Sequence, residues 1–214
     1  MSGTGALPPV VHIVDGDELA SQALRFLFSS AGVASLAFPD LRSLLDRHDP
    51  AQPGCLLLDA GAAGMSALEF LDRHVEFGFT LPVVVLTATG NVSVAVNAMK
   101  AGAIDFLTKP AQPQQVLGAV RQALRVDEAR RRERATREDL GRRLAALSSR
   151  ERDVAERVAL GLISRQIAAE LGISARTVET HLAGALRKLG LRNTPELVRL
   201  LAQYDATRPA ARSA

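Results

Sequence analysis

Three short apolar segments, each ending in a polar residue, constrain the fold of the first half of the chain more than any other feature. They are residues 10–15 (VVHIVD), 54–59 (GCLLLD) and 82–87 (PVVVLT). Continuous apolar runs of this length are typical of strands buried on both faces of a parallel sheet. The segments between them, including residues 19–30 and 67–73, carry apolar residues at helical spacing. Strands that alternate with helices predict a doubly wound α/β domain.

Two further segments complete the predicted sheet. Residues 34–38 and 103–108 are short, largely apolar and separated from their neighbours by helical patterns. With the three segments above they give five strands, and the alternation with helices makes all of them parallel. We therefore expect a five-stranded parallel sheet with helices on both faces.

Polar residues gather at the carboxyl ends of the predicted strands. Asp15, Asp59, Thr87 and Lys109 stand at or just after strand ends, where sheets of this kind bind their ligands. A carboxylate at Asp59 can attack a phosphoryl group, and Asp15 can help to hold a divalent cation. Thr87 and Lys109 can bond the phosphoryl oxygens. The alternative interpretation is structural, with the two Asp residues capping helices and Lys109 pairing with one of them.

The two halves of the chain differ in charge. Up to Gln112 there are 6 basic and 11 acidic residues, and after it 20 basic and 12 acidic residues, so the net charges are −5 and +8. A basic half joined to an acidic one predicts that only the second half binds a polyanion. A basic solvated surface is the alternative explanation of the same count.

Cysteine content and hydropathy bear on the compartment. Cys55 is the single cysteine, so no internal disulfide can form, and no apolar run reaches the roughly 20 residues that span a bilayer. The first residues have neither a basic start nor a small-residue cleavage site after an apolar stretch. We therefore expect a cytoplasmic protein without a membrane partner.

From Pro113 to Leu147 the sequence is helical in pattern and rich in Arg and Glu, with only Gly118 and Gly141 as breakers. This predicts either one long helix or two helices joined near Asp127. The spacing of the apolar residues is compatible with a dimeric coiled coil. A solvated single helix or flexible linker explains it equally well, because the middle of the segment is almost wholly polar.

The last part of the chain contains four short amphipathic helices with clear start and stop signals. The second and third of them are joined by the short turn LGIS, and two helices joined in this way predict a helix-turn-helix DNA-binding domain. Polar N-caps and C-terminal glycines mark the helix ends. The marking residues are Ser148 or Ser149, Gly161, Gly172, Ser174, Gly190 and Asn193 or Thr194, with Pro195 in the last helix's first turn.

The strand-end residues occur in the order found in the receiver domains of two-component response regulators. Residues 98–110 (AMKAGAIDFLTKP) resemble the end of a FixJ-type receiver, and Thr87 is followed by Ala88. The resemblance covers residues 8–125 and implies a flavodoxin-like fold. It also implies roles for individual residues: Asp59 as the phosphoacceptor, Asp15, Asp59 and the Gly61 carbonyl as Mg²⁺ ligands, Thr87 and Lys109 as phosphoryl contacts, and Thr87 with Phe106 as the switch.

One position departs from the pattern of that family. Receivers of this type carry two adjacent acids after the first strand, whereas here Asp15 is followed by Gly16. The missing acid is the one expected to contact magnesium directly, so its loss weakens metal binding and phosphoryl transfer. Asp17 is a candidate replacement ligand, although it matches the family's next position. Residues 60–65, rich in Ala and Gly, also differ from the family and leave the Gly61 geometry unassured.

Residues 147–204 resemble the LuxR-type helix-turn-helix domain of NarL- and FixJ-type regulators. The resemblance places the third helix in the major groove, with its N-terminal turns toward the bases. Leu182 and Gly184 stand where related helices often have polar or basic residues. Residues 126–146 then form a charged helical linker and residues 205–214 a disordered tail. The candidate base contacts are Arg176, Glu179, Thr180 and Ala183, and the candidate phosphate contacts are Arg165, Arg187 and Lys188.

Together the two resemblances imply a transcriptional response regulator, and not an enzyme with a diffusible substrate. The expected partners are double-stranded DNA, a sensor histidine kinase and a second copy of the chain, with RNA polymerase as a further candidate. The alternative rests on Gly16. It is a phosphorylation-independent transcription factor whose receiver serves as a dimerisation or partner-binding domain.

Overall fold

The computed structural model of the protein describes residues 7–62, 65–89 and 92–207. The chain divides into two compact units, with the boundary between Arg130 and Arg131. The described elements that begin in the first unit are β1 (Val10–Val14), α1 (Glu18–Ser30), β2 (Ala34–Phe38), α2 (Leu41–Leu45), β3 (Gly54–Asp59), α3 (Ala67–Arg73), β4 (Val83–Thr87), α4 (Val92–Lys100), β5 (Asp105–Thr108) and α5 (Pro113–Ala145).

The five strands form one parallel sheet in the order β2-β1-β3-β4-β5. This confirms the doubly wound fold predicted from the alternation of strands and helices. The register places His12 of β1 beside Leu36 of β2 and Leu56 of β3. Because all five strands run in one direction, their carboxyl ends meet at one edge of the sheet.

Each face of the sheet has its own apolar core, because successive side chains of a strand point to opposite faces. Val11 and Ile13 of β1 pack on one face with Phe28 of α1 and Val120 of α5. Val14 packs on the other face in the second cluster. Burial on both faces explains why the strands read as continuous apolar runs instead of alternating ones.

Helix α5 runs without a break through Asp127, so the single long helix is the correct one of the two alternatives. Asp127 is buried, and its Oδ2 accepts a hydrogen bond from the backbone N–H of Gly54 at 2.9 Å. Gly54 has no room for a side chain, since a Cβ there would lie against the Val10 carbonyl. The carboxylate therefore ties the start of β3 to α5.

His12 is a buried imidazole next to a second one. It is 4% exposed, and its ring centroid lies 5.9 Å from that of His48. Within the described residues neither ring nitrogen of His12 has a hydrogen-bond partner. Burial first, and then the charge of His48, lowers the pKa of His12 from 6.5 to about 4. The folded chain therefore holds His12 in its neutral form.

The first unit is expected to lose stability in mildly acidic solution because of His12. The pKa of His12 is lower in the folded than in the unfolded chain, so protonation of His12 favours the unfolded chain. The free energy of unfolding is therefore highest above about pH 6.5 and decreases as the pH falls toward 4. We expect a loss of about 2 kcal/mol in the free energy of unfolding. Urea unfolding at pH 7 and pH 4.5, compared with His12→Leu, measures this. An equal loss in both proteins would contradict it.

The second unit contains the last turns of α5 and four further helices. These are α6 (Ser149–Ala159), α7 (Ser164–Leu171), α8 (Ala175–Leu189) and α9 (Thr194–Ala206). The predicted boundaries are confirmed: Ser148, Ser174 and Asn193 are N-caps, and Gly172 and Gly190 end their helices in the left-handed conformation. The small helical domain predicted from these signals is therefore present.

Two segments outside that domain differ from expectation. Leu140 and Leu144, within the predicted linker 126–146, are buried in the core of the second unit, because the last turns of α5 present an apolar face to it. Helix α9 continues to Ala206, so residues 205 and 206 of the predicted tail 205–214 are helical, and the Thr207 hydroxyl bonds to the Tyr204 carbonyl at the end. Residues 208–214 lie outside the described residues.

Candidate functional site

Lys109 lies between two carboxylates at the carboxyl edge of the sheet. Its Nζ is 2.7 Å from Asp15 Oδ2 and 3.3 Å from Asp59 Oδ1. Asp15 directly follows β1, Asp59 ends β3 and Lys109 directly follows β5. Three strands thus bring these three predicted residues into direct contact. The helices that follow these two residues are capped by Asp17 and Ser66, so the predicted capping role is absent. The pairing with Lys109 is also what the structural alternative predicts.

The charges at this edge are linked. Burial disfavours the charged ammonium of Lys109, but the hydrogen bond with Asp15 and the charge of Asp59 outweigh it and raise the pKa of Lys109. Lys109 is therefore a fixed cation at neutral pH, beside a carboxylate that is only partly buried. Such a pair can present one nucleophilic oxygen and one positive charge to an anionic group that approaches Asp59.

Thr87, the fourth predicted residue, ends β4 beside Lys109. Its carbonyl accepts a hydrogen bond from the backbone N–H of Lys109 at 2.7 Å, and its buried hydroxyl donates to the Thr89 carbonyl at 3.3 Å. Thr87 and Phe106 of β5 line a common cavity of about 210 Å³. The two predicted switch residues therefore border the same cavity, which has room for a side chain to move.

Gly16 leaves an open position next to Asp15. A Cβ at Gly16 would meet only the Pro39 carbonyl oxygen, at 3.9 Å, and the residue is not among those with left-handed backbone. Neither the space nor the backbone conformation requires glycine. A carboxylate side chain would fit at this position.

Asp17, the candidate replacement ligand, caps a helix. Its Oδ1 accepts hydrogen bonds from the backbone N–H groups of Leu19 and Ala20, at 2.9 and 3.2 Å, at the start of α1. Its own N–H donates to Asp15 Oδ1 at 2.9 Å. The Asp17 carboxylate is thus held at the N-terminus of α1, where it offsets the helix dipole.

The oxygen atoms at this edge suit a hard divalent cation but are few. Asp15 and Asp59 supply carboxylates, and a Cβ on Gly61 would lie 3.4 Å from Asp59 Oδ2, so the Gly61 main chain runs beside that carboxylate. Both Asp15 oxygens already accept hydrogen bonds. Across residues 7–62, 65–89 and 92–207 no group of three or more Asp, Glu, His or Cys is arranged to hold a metal ion. The donors fit magnesium in kind and are one carboxylate short in number.

Helices α7 and α8 form the predicted helix-turn-helix. Gly172 ends α7 in the left-handed conformation, and Ser174 caps α8 through the Thr177 N–H. Ile167 of α7 and Val178 of α8 are fully buried in one cluster, which fixes the two helices against each other. All seven candidate DNA contacts are exposed: Arg165, Arg176, Glu179, Thr180, Ala183, Arg187 and Lys188. The side chains that pack and those that can meet DNA are therefore separated.

Two of these candidates have partners within the protein. The Thr180 hydroxyl donates to the Arg176 carbonyl one turn earlier, at 3.0 Å, so its methyl group is what remains for a base contact. Lys188, predicted as a phosphate contact, places its Nζ 2.7 Å from Glu151 Oε2. The reason is that α6 packs against α8 and brings an almost buried carboxylate next to the ammonium.

Sequence reasoning missed the role of Glu151, although a signal was present. Ser148 and Glu151 have the spacing of a capping box, and the structure contains both of its hydrogen bonds at the start of α6. The pairing of Glu151 with Lys188 joins residues 37 positions apart. No local pattern predicts it, because it depends on how the two helices pack.

Comparison with known proteins agrees with both halves of the structure. Residues 11–121 match the response regulator receiver domain, and residues 145–201 match the LuxR family of bacterial regulatory proteins. A receiver sheet with an Asp at its carboxyl edge, joined to a helix-turn-helix domain, defines a class of DNA-binding regulators. The chain belongs to the two-component response regulators with a LuxR-type DNA-binding domain.

Several relatives align over nearly the whole chain. The transcriptional regulatory protein FixJ of Azorhizobium caulinodans is 39% identical over 190 residues, which are 89% of this chain and 90% of that protein. The C4-dicarboxylate transport transcriptional regulatory protein DctR of Rhodobacter capsulatus is also 39% identical, over 89% of this chain and 98% of its own. The structure of the response regulator StyR has a TM-score of 0.81 at 38% identity and covers 92% of this chain and 100% of its own. The structure of full-length FixJ from B. japonicum has a TM-score of 0.56 at 32% identity, and it covers 94% of this chain and 98% of its own.

Within the part of the chain that the structure describes, no helix combines the length and the apolar composition needed to cross a bilayer.

Proposed function

We propose that Asp59 accepts a phosphoryl group from a sensor histidine kinase, and that this event controls DNA binding by the helix-turn-helix domain in the cytoplasm. The observation that carries the proposal is the contact of Lys109 with both Asp59 and Asp15 at the carboxyl edge of the sheet. The relatives named above are transcriptional regulators, in keeping with a switch and not with turnover of a diffusible substrate.

In the proposed transfer, an Oδ of Asp59 forms a bond to phosphorus while the bond from phosphorus to the donor nitrogen of a phosphohistidine breaks. The Lys109 ammonium then moves from the Asp59 carboxylate to a phosphoryl oxygen. Thr87 then rotates its hydroxyl toward the phosphoryl group, and the Phe106 ring moves into the cavity that both residues line. The change at the edge thereby alters the surface of the unit.

Asp15, Asp59 and the Gly61 carbonyl are the groups that would hold magnesium. The chemistry that this ion supplies is neutralisation of charge on the phosphoryl oxygens. With Gly16 in place of an acid and the Asp17 carboxylate on the helix cap, the site has two carboxylates in place of three. We therefore infer that Asp59 is phosphorylated slowly or not at all at ordinary magnesium concentrations.

The same observation favours a second candidate function. If phosphorylation is negligible, the balance between inactive and active forms depends on whatever binds one of them preferentially, such as DNA, a partner protein or a second copy of the chain. The protein is then a phosphorylation-independent transcription factor. To separate the two candidates, the protein is treated with acetyl phosphate and magnesium, and its affinity for DNA is then measured. The first candidate predicts that the affinity rises and that Asp59→Asn removes the rise. The second predicts no change.

On DNA we propose that α8 lies in the major groove. Its exposed residues Arg176, Glu179, Thr180 and Ala183 face the bases, and Arg165 and Arg187 face phosphates. One such domain reads few base pairs, so a homodimer on paired half-sites about one or two helical turns apart supplies the specificity. The mass of the complex in solution tests this, since a protein that stays 1:1 on its preferred site excludes the dimer. RNA polymerase is a further candidate partner of the DNA-bound protein.

Replacement of Arg187 by Ala is expected to weaken binding to all duplexes alike. Arg187 is exposed near the end of α8, so its loss should reduce the dependence of log affinity on log salt concentration by about one. Thr180→Ala should instead change the preference between sequences and leave that slope intact. Fluorescence anisotropy in a series of salt concentrations measures both. The reversed pattern would contradict the proposed orientation of α8.

A further inference from the structure

The carboxylate of Glu151 is the centre of a contact network between α6 and α8. Its Oε2 accepts from Lys188 Nζ of α8 at 2.7 Å and from the backbone N–H of Ser148 at 2.7 Å. Glu151 is 8% exposed, whereas Lys188 and Ser148 are exposed, so the carboxylate is the buried member of the network. Lys188 is followed by Leu189, which is buried. The network therefore joins the N-terminus of α6 to the last turns of the recognition helix.

The hydrogen bonds keep Glu151 ionised. The bond from Lys188, then that from the Ser148 backbone, lowers the pKa of Glu151 to about 2. At neutral pH the carboxylate therefore always carries the charge that holds Lys188. An ammonium has three N–H donors, so the bond to Glu151 fixes where the Lys188 ammonium lies and occupies one of those donors.

Gly184 leaves room for the Glu151 carboxylate beside α8. It lies on α8 one turn before Lys188, and a Cβ there would be 2.7 Å from Glu151 Oε1 and 3.5 Å from its Cδ. The carboxylate has little freedom to move away, because its other oxygen is held by two hydrogen bonds. Gly184 stands where related recognition helices often have a polar or basic residue. Here the Glu151 carboxylate occupies the space that such a side chain would fill.

We propose that Glu151, Lys188 and Gly184 form a positioning device that sets how α8 is presented to DNA, and that Lys188 acts through Glu151 instead of contacting a phosphate. The proposal rests on the assignment of α8 as the recognition helix. It distinguishes two adjacent basic residues at the end of that helix. Both side chains are exposed, but the Lys188 ammonium is paired with the Glu151 carboxylate of α6.

The first test compares Lys188→Met with Arg187→Met in the full chain. A preferred duplex is first selected from a random pool with the wild-type protein, and its affinity is compared with that of a scrambled duplex over a series of salt concentrations. Lys188→Met should leave the salt slope unchanged and lower the preference for the selected duplex about tenfold, the loss that one mismatched base pair causes. A slope reduced by about one, with preference retained, would assign Lys188 to a phosphate and overturn the proposal.

The second test is Glu151→Gln, which has the same shape and leaves every basic residue in place. It should lower the preference about tenfold, while affinity for the scrambled duplex stays the same or rises. The double variant Glu151→Gln with Lys188→Met should lose no more preference than either single variant, because each substitution removes the same bond. Unchanged preference in Glu151→Gln would overturn the proposal. Helix content by circular dichroism at the assay temperature establishes that the variants are folded.

Gly184→Ala gives a readout that a merely structural role would not give. Alanine stabilises the interior of a helix more than glycine does. If Glu151 had no role in positioning α8, the substitution would therefore stabilise α8 and leave the preference between duplexes unchanged. The proposal predicts that preference falls about tenfold with no change in charge. A more stable protein with wild-type preference would contradict it.

Discussion

Replacement of Gly16 by Asp is expected to raise the rate of Asp59 phosphorylation by about tenfold or more at magnesium concentrations well below saturation. The new carboxylate would stand beside Asp15 in a position with room for it, since a Cβ at residue 16 meets only the Pro39 oxygen at 3.9 Å. It supplies the third acidic ligand that Asp17, held on its helix cap, does not. Acetyl phosphate as donor and intact mass as readout measure the rate.

Two controls separate charge from shape in that experiment. Gly16→Asn adds nearly the same volume without a full negative charge and should raise the rate much less. Gly16→Asp combined with Asp59→Asn should take up no phosphoryl group. If Gly16→Asp left the rate and its magnesium dependence unchanged, the deficit at this site would not lie in the missing acid.

Removal of residues 131–146 from an isolated second unit is expected to lower the free energy of unfolding of that unit by several kcal/mol. Leu140 and Leu144 are 4% and 2% exposed in the core of that unit, and the Arg143 side chain donates to the Leu189 carbonyl at the end of α8. Burial of two Leu side chains is worth about 3–6 kcal/mol. Because small domains have only about 5–15 kcal/mol in total, a fragment that starts at Leu147 is left marginally stable.

The comparison uses fragments 131–207 and 147–207, with urea unfolding followed by circular dichroism. The longer fragment should unfold at clearly higher urea and bind duplex DNA. The matched control is the longer fragment with Leu140→Ala and Leu144→Ala, which should behave like the shorter one. Equal stability of the two fragments would mean that the end of α5 serves only as a connection between the units.

Much of the fold was predictable from local pattern. The parallel strands follow from continuous apolar runs, and the helix ends of the second unit follow from Ser148, Ser174, Gly172 and Gly190. These signals act over a few residues, so sequence alone carries them. The convergence of Asp15, Asp59 and Lys109 was predictable for a different reason, since parallel topology forces strand ends to one edge.

The remaining features depend on contacts between distant residues. The pairing of Lys188 with Glu151 has no signal in the sequence, because the two residues lie on different helices. The carboxylate of Asp127 and the Gly54 N–H that it binds are 73 positions apart. The linker contained an apolar stripe at helical spacing, but its pattern is equally suited to a coiled coil and to packing on the second unit. Only the arrangement of the helices decides between such alternatives.

Phosphorylation of the wild-type chain tests the central claim most directly, namely that this receiver has its transfer residues in place but lacks a metal-site acid. The full chain is incubated with acetyl phosphate over a magnesium series, its intact mass is followed beside Asp59→Asn, and DNA affinity is measured on the same samples. The account predicts slow uptake of one phosphoryl group on Asp59 that requires high magnesium, with DNA affinity rising in proportion to uptake. Rapid and stoichiometric phosphorylation at low magnesium would contradict it.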